Sequence, residues 1–147
     1  MGISDILSED VILTDLSADS KRHLLEQVSS FIADKYSLDN SVVFEAVLER
    51  ENLGSTGYGN GVAFPHARIN GLDRVITAFV RLDTPLEYDS VDGKAVDLLA
   101  FIISPENNGN DYLQTLAIFS RQLKNEDVCN AVRDAKSVHD IYLALNK

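Results

Sequence analysis

Residues 95–104 read AVDLLAFIIS, an almost unbroken apolar run. A strand that faces water on one side alternates polar and apolar residues, whereas a run like this belongs to a central strand covered on both faces. The rest of the chain must therefore supply two covering layers. Two helical stretches lie before it and three after it. DSKRHLLEQVSSFIADKY, residues 19–36, places Leu24, Val28, Phe31 and Ile32 on one face, with Ser20 as the expected N-cap. NSVVFEAVLERE starts near Asn40, turns Val43, Phe44, Val47 and Leu48 inward and must stop by Gly54. After the central strand, helices are expected over about 109–123, 126–134 and 138–145, with a variant capping box at Ser137 and Asp140. Leu113, Leu116, Phe119 and Leu123 recur at core spacing on the first of these.

Further strand signals are DVIL at 10–13, suited to a sheet edge, VAFPHARI broken by Pro65, and RVITAFVRLD with Ile76, Ala78, Val80 and Leu82 on one face. Between the helices and these strands, NLGSTGYGNG at 52–61 has four glycines and predicts no regular element. The expected fold is α/β: a single domain over 1–147 with a mixed parallel/antiparallel sheet flanked by helices on both faces.

The net charge of -10 opposes binding to nucleic acid or anionic lipid and favours a partner with a basic docking face. No apolar run approaches the roughly 18 residues of a membrane helix. The acidic start MGISDILSED lacks a signal-peptide layout, and its Met-Gly opening misses a myristoylation site because Ile6 stands where Ser or Thr is needed. The single Cys129 forms no internal disulfide and reads as a core residue of its helix, so the expected location is the cytoplasm.

The chemistry concentrates in GYGNGVAFPHAR, residues 57–68. Imidazole is both nucleophilic and largely neutral near pH 7, so His66 is suited to accept a group and pass it on. Glycines let backbone amides approach an anion closely. Pro65 fixes one dihedral before His66 and removes an amide donor. Ser55 and Thr56 add hydroxyl donors, and Arg50 and Arg68 supply cations that fit phosphate oxygens. A histidine beside an anion cradle is what a phosphohistidine needs. The same residues also suit a tight connection in which His66 merely bonds a carbonyl. Gly57, Gly59 and Gly61 do not match the dinucleotide fingerprint, and no P-loop follows. His23 and His139 sit in polar helical surroundings and are expected at the surface, without a metal-binding pattern. Glu49 and Glu51 read as solvated helix-end charges.

The run FEAVLERENLGSTGYGNGVAFPHARI resembles the signature of the type 2 (fructose–mannitol class) enzyme IIA domains of the bacterial phosphoenolpyruvate-dependent phosphotransferase system, with its strongest likeness to the nitrogen-regulatory branch. The likeness continues through LDTPLEYDSVDGKAVDLLAFIISPEN and YLQTLAIFSRQL. It implies that His66 is the phosphorylated residue, that the donor is a histidine-containing phosphocarrier protein, and that neither ATP, metal nor another cofactor takes part. It places Arg50 near the active site and Ser55, Thr56, Gly59 and Gly61 in the loop around it. Two positions depart from the family. Tyr112 stands where members often carry a second histidine, and PHAR replaces Pro-His-Gly-Lys, with Arg68 keeping the charge. The resemblance implies a regulator whose phosphorylation state controls target proteins such as transporters or kinases. The alternatives are a sugar-specific IIA that passes phosphate to an enzyme IIB, and an adaptor without phosphotransfer.

Overall fold

The computed structural model describes residues 2–107 and 109–147; Met1, part of the Met-Gly opening weighed above, lies outside them. The elements are β1 (Ile12–Leu16), α1 (Lys21–Tyr36), α2 (Asn40–Leu53), β2 (Gly57–Gly59), β3 (Val62–Ala63), β4 (His66–Ile69), β5 (Ile76–Leu86), β6 (Val96–Pro105), α3 (Gly109–Lys124), α4 (Glu126–Asp134) and α5 (Val138–Leu145). The sheet runs β1-β5-β6-β3-β2, with β4 also on β6. It is mixed: β5 and β6 are antiparallel, while β1 lies parallel to β5 and β3 and β4 lie parallel to β6. The apolar run forms the centre as expected, buried at every position from Leu98 to Ser104. Helix α1 packs on α2, which reaches β4, while α3 and α5 reach β6 and β1 and join through α4.

The caps follow from side-chain chemistry. Ser20 accepts the His23 amide at 3.0 Å, and Ser137 accepts the Asp140 amide at 3.1 Å. Each such bond satisfies a donor that a helix start leaves open and contributes about 1 kcal/mol. Cys129 is buried, its thiol donating to the Leu123 carbonyl at 3.2 Å. His23 and His139 lie at the surface, the latter with Nδ1 2.8 Å from Glu9.

Three expectations are corrected. Alternation predicts one buried face on β5, yet every residue from Ile76 to Val80 is buried, because the strand lies between β1 and β6 with both sheet faces covered. Leu113, expected in the core, is 58% exposed. The buried stripe of α3 runs instead through Thr115, Ile118, Phe119 and Leu123, and Leu113 lies about 200° around the helix from Thr115. The glycine-rich stretch is not wholly irregular: β2 pairs antiparallel with β3 around Asn60 and Gly61. Both turn residues have positive φ, 57° and 82°, which a two-residue hairpin turn demands and an Asn-Gly pair supplies.

Candidate active site

Strands β3 and β4 form one course along β6. Val62 lies opposite Leu98 and His66 opposite Ile102, so the register is unbroken across Phe64 and Pro65. Pro65 has no amide to place, and its carbonyl accepts the Ile102 amide at 3.0 Å. Along β4, Ala67 and Ile69 are buried, while His66 is half-buried and Arg68 exposed. Period-two alternation thus turns His66 and Arg68 to the same side.

The His66 ring is held at both nitrogens. Nδ1 lies 2.9 Å from the Phe64 carbonyl, and the Arg50 Nε–H donates to Nε2 at 3.2 Å. A carbonyl only accepts and a guanidinium only donates, so the network assigns the proton to Nδ1 and a lone pair to Nε2. Arg50 is itself anchored, its Nη1 donating to the Gly54 carbonyl at 2.7 Å. The Tyr112 ring from α3 is centred 5.5 Å from the His66 ring, and the Arg68 guanidinium lies 5.8 Å from the Tyr112 centroid. Ala46, Arg50, Leu53, His66, Arg68 and Tyr112 line an open hollow of about 340 Å³.

Burial holds His66 below its ordinary pKa of 6.5, and the Arg50 and Arg68 charges push the same way against the Phe64 carbonyl and Glu51. The ring is therefore neutral at pH 7. Burial raises the Tyr112 pKa against the pull of Arg50 and Arg68, so its phenol stays protonated. A proton-coupled NMR titration of His66 is expected to give a midpoint below 6.5, moved upward in Arg50→Ala. The unfolded chain takes up this proton first as pH falls, so the contribution to stability present above 6.5 is lost as pH falls through the folded pKa. A wild-type midpoint at or above 6.5 counts against this account of the ring's surroundings.

The family profile described as "Phosphoenolpyruvate-dependent sugar phosphotransferase system, EIIA 2" matches residues 5–147. The chain belongs to this enzyme IIA family. The "Nitrogen regulatory protein" of Bradyrhizobium diazoefficiens is 35% identical over 145 residues, spanning 99% of this chain and 95% of that protein. The protein of the same name from Escherichia coli K12 is 36% identical over 141 residues, 95% of this chain and 86% of that one. Among solved structures, Nitrogen Regulatory Protein IIA-Ntr from Neisseria meningitidis superposes with a TM-score of 0.91 at 32% identity, covering 98% of this chain and 99% of that one. Among the described residues of this enzyme IIA, no helix is long and apolar enough to cross a membrane.

The residues expected around His66 separate into two groups. Arg50, Arg68 and Tyr112 share its hollow. Ser55, Thr56, Gly59 and Gly61, expected in an anion cradle, do not line it. The Ser55 hydroxyl donates to the Tyr88 carbonyl at 2.9 Å and accepts the Gly57 amide at 3.1 Å. Thr56 is buried, with its hydroxyl and amide both donating to Glu51 at 2.5 and 2.8 Å. Gly59 and Gly61 shape the hairpin, and Gly61 also lets Arg133 and Asp97 pass: a Cβ there would lie 2.6 Å from the Arg133 Nη2. The Ser55 hydroxyl and the Thr56 hydroxyl and amide are thus occupied internally, where they hold the loop's shape.

Glu51 is the second correction. It is not solvated but buried, and it receives Thr56, Tyr88 and Lys21 together. The sequence held a signal for this, since residue 51 continues the inward stripe of Val43 and Val47 at four-residue spacing. A carbonyl partner for His66 was among the sequence expectations, but nothing singled out Phe64 as its source, and nothing pointed to Tyr88.

Proposed function

We propose that this enzyme IIA carries a phosphoryl group on His66 Nε2, received from the phosphohistidine of a histidine-containing phosphocarrier protein, and that the state of His66 regulates its binding to target proteins such as transporters or kinases. The observation that carries the proposal is a neutral imidazole with its nucleophilic lone pair fixed at Nε2 in an open hollow beside guanidinium groups. Regulation is the reading favoured by relatives named as nitrogen regulatory proteins.

The transfer needs little beyond positioning and charge. The Nε2 lone pair forms the new N–P bond as the donor's N–P bond breaks and returns its electron pair to the donor ring. The Nδ1 proton stays on His66, bonded to the Phe64 carbonyl, which stabilises the positive charge that the ring acquires. Arg50, held at its far end by Gly54, redirects its Nε–H from Nε2 to a phosphoryl oxygen. Arg68 adds a second charge from the hollow's rim, and the neutral Tyr112 hydroxyl serves as a donor rather than a cation. The net charge of -10 favours a donor with a basic face.

The test is intact-mass spectrometry after incubation with phosphoenolpyruvate, enzyme I and the phosphocarrier. The expected result is an acid-labile gain of one phosphoryl group. No gain from a donor shown to be charged would sink the carrier reading. Onward transfer to a purified fructose or mannitol IIB domain would replace regulation by sugar transport.

A further inference from the structure

Glu51 follows Arg50 on the last turn of α2, and consecutive side chains leave a helix about 100° apart. Arg50 turns to the His66 hollow. Glu51 turns inward, where it is 6% exposed. Four donors converge on its carboxylate: Lys21 Nζ at 2.9 Å, the Thr56 amide at 2.8 Å, the Thr56 hydroxyl at 2.5 Å and the Tyr88 hydroxyl at 3.1 Å. Burial acts to raise its pKa, but the bonds from Thr56 and Lys21 outweigh it and keep the group ionised. An ionised carboxylate in the interior is costly unless fully bonded, and one so fully bonded holds its partners firmly.

Those partners lead to His66 by two routes. The Thr56 carbonyl accepts the Phe64 amide at 3.0 Å, and the Phe64 carbonyl accepts the His66 Nδ1–H at 2.9 Å. Two residues before Thr56, the Gly54 carbonyl anchors Arg50, whose Nε meets His66 Nε2. Both partners of the imidazole thus rest on the segment 54–56 that Glu51 holds. Glu51 itself borders a different hollow, with Lys21, Ser55 and Asp89, so it makes no bond to the ring: its charge is felt there at a distance, and its geometric hold passes through these intermediaries.

We propose that Glu51 is a positioning residue for His66, fixing its Nδ1–H tautomer through Thr56 and Phe64 and placing Arg50 through Gly54. The consequence for phosphoryl transfer rests on His66 being the acceptor; the effect on the ring does not.

Nitrogen-15 NMR of the imidazole reads the tautomer without any phosphoryl transfer. Wild type is expected to show the Nδ1–H form. Glu51→Gln, which keeps the shape but removes the charge, should lower the tautomer ratio about fivefold, the factor carried by one net hydrogen bond. Thr56→Val should move it the same way by less, and Thr56→Ser should restore it. The phosphorylation rate of Glu51→Gln should fall about tenfold, as for a slightly misplaced nucleophile. Folded Glu51→Gln and Thr56→Val proteins with wild-type nitrogen shifts would overturn the proposal. Should Glu51→Gln fail to fold, Thr56→Val against Thr56→Ser decides. A wild type that accepts no phosphoryl group, combined with variants that still shift the tautomer, would remove the carrier reading and leave the positioning role standing.

Discussion

The His66→Ala protein is expected to take up no phosphoryl group from a charged phosphocarrier, a loss on the order of 10⁴-fold or more, as for removal of any sole nucleophile. The other nucleophile lining the hollow is the Glu49 carboxylate, whose acyl phosphate would differ from a phosphohistidine by being stable to mild acid and labile to base. Tyr112 stays a protonated phenol because burial raises its pKa, and Arg50 and Arg68 only donate. The remaining histidines lack the arrangement: His23 accepts the Asp19 amide at its own helix start, and His139 pairs with Glu9. The sheet bonds of β4 are made by backbone, so the variant keeps its fold, and circular dichroism alongside intact mass separates lost chemistry from lost structure. Acid-labile label persisting on His66→Ala would move the acceptor elsewhere.

Phe79→Ala is the largest expected loss of stability. Phe79 is fully buried at the centre of β5, opposite Ala100 of β6 and Ile12 of β1. Its cross-strand neighbour Ala100 is too small to collapse into the space, so the cavity persists. Removing a buried phenylalanine typically costs about 3–5 kcal/mol. For a chain of this size each kcal/mol moves Tm by about 2–4 °C, so a fall of roughly 10 °C is expected. Denaturant unfolding should show a lower midpoint at an unchanged slope. A cost below about 1 kcal/mol would mean that this face of β5 is open, as simple alternation along the strand predicts.

The contrast at β5 shows where sequence reading stops. Ile76, Ala78, Val80 and Leu82 announce a strand by their spacing, but the burial of Thr77 and Phe79 depends on what lies over the other face. A local pattern carries no record of that layer. The same holds on α3, where four leucine and phenylalanine positions at helical spacing predicted a core stripe, and the sheet selected Thr115 and Ile118 over Leu113.

The site divides in the same way. His66 and Arg50 were legible as candidates because their chemistry is intrinsic, a neutral nucleophile and a permanent cation beside a proline and a glycine-rich loop, and the family resemblance chose between that reading and a plain tight connection. Ser55 and Thr56 carried the right donors for an anion, but a hydroxyl's role depends on which acceptor the fold brings to it, and the fold brought Tyr88 and Glu51.

The sequence by itself determined the order of the helices and longer strands, the Ser20 and Ser137 caps, the central buried strand and the candidate histidine, because each depends on residue type and spacing along a short stretch. Only the tertiary structure decided the tautomer of that histidine, the partners of Glu51 and the placing of Tyr112 and Arg68 around the ring. These rest on meetings between α1, α2, β4 and α3, beyond the reach of any local sequence pattern, and packing in three dimensions is what brings them within hydrogen-bonding and ring-contact distance.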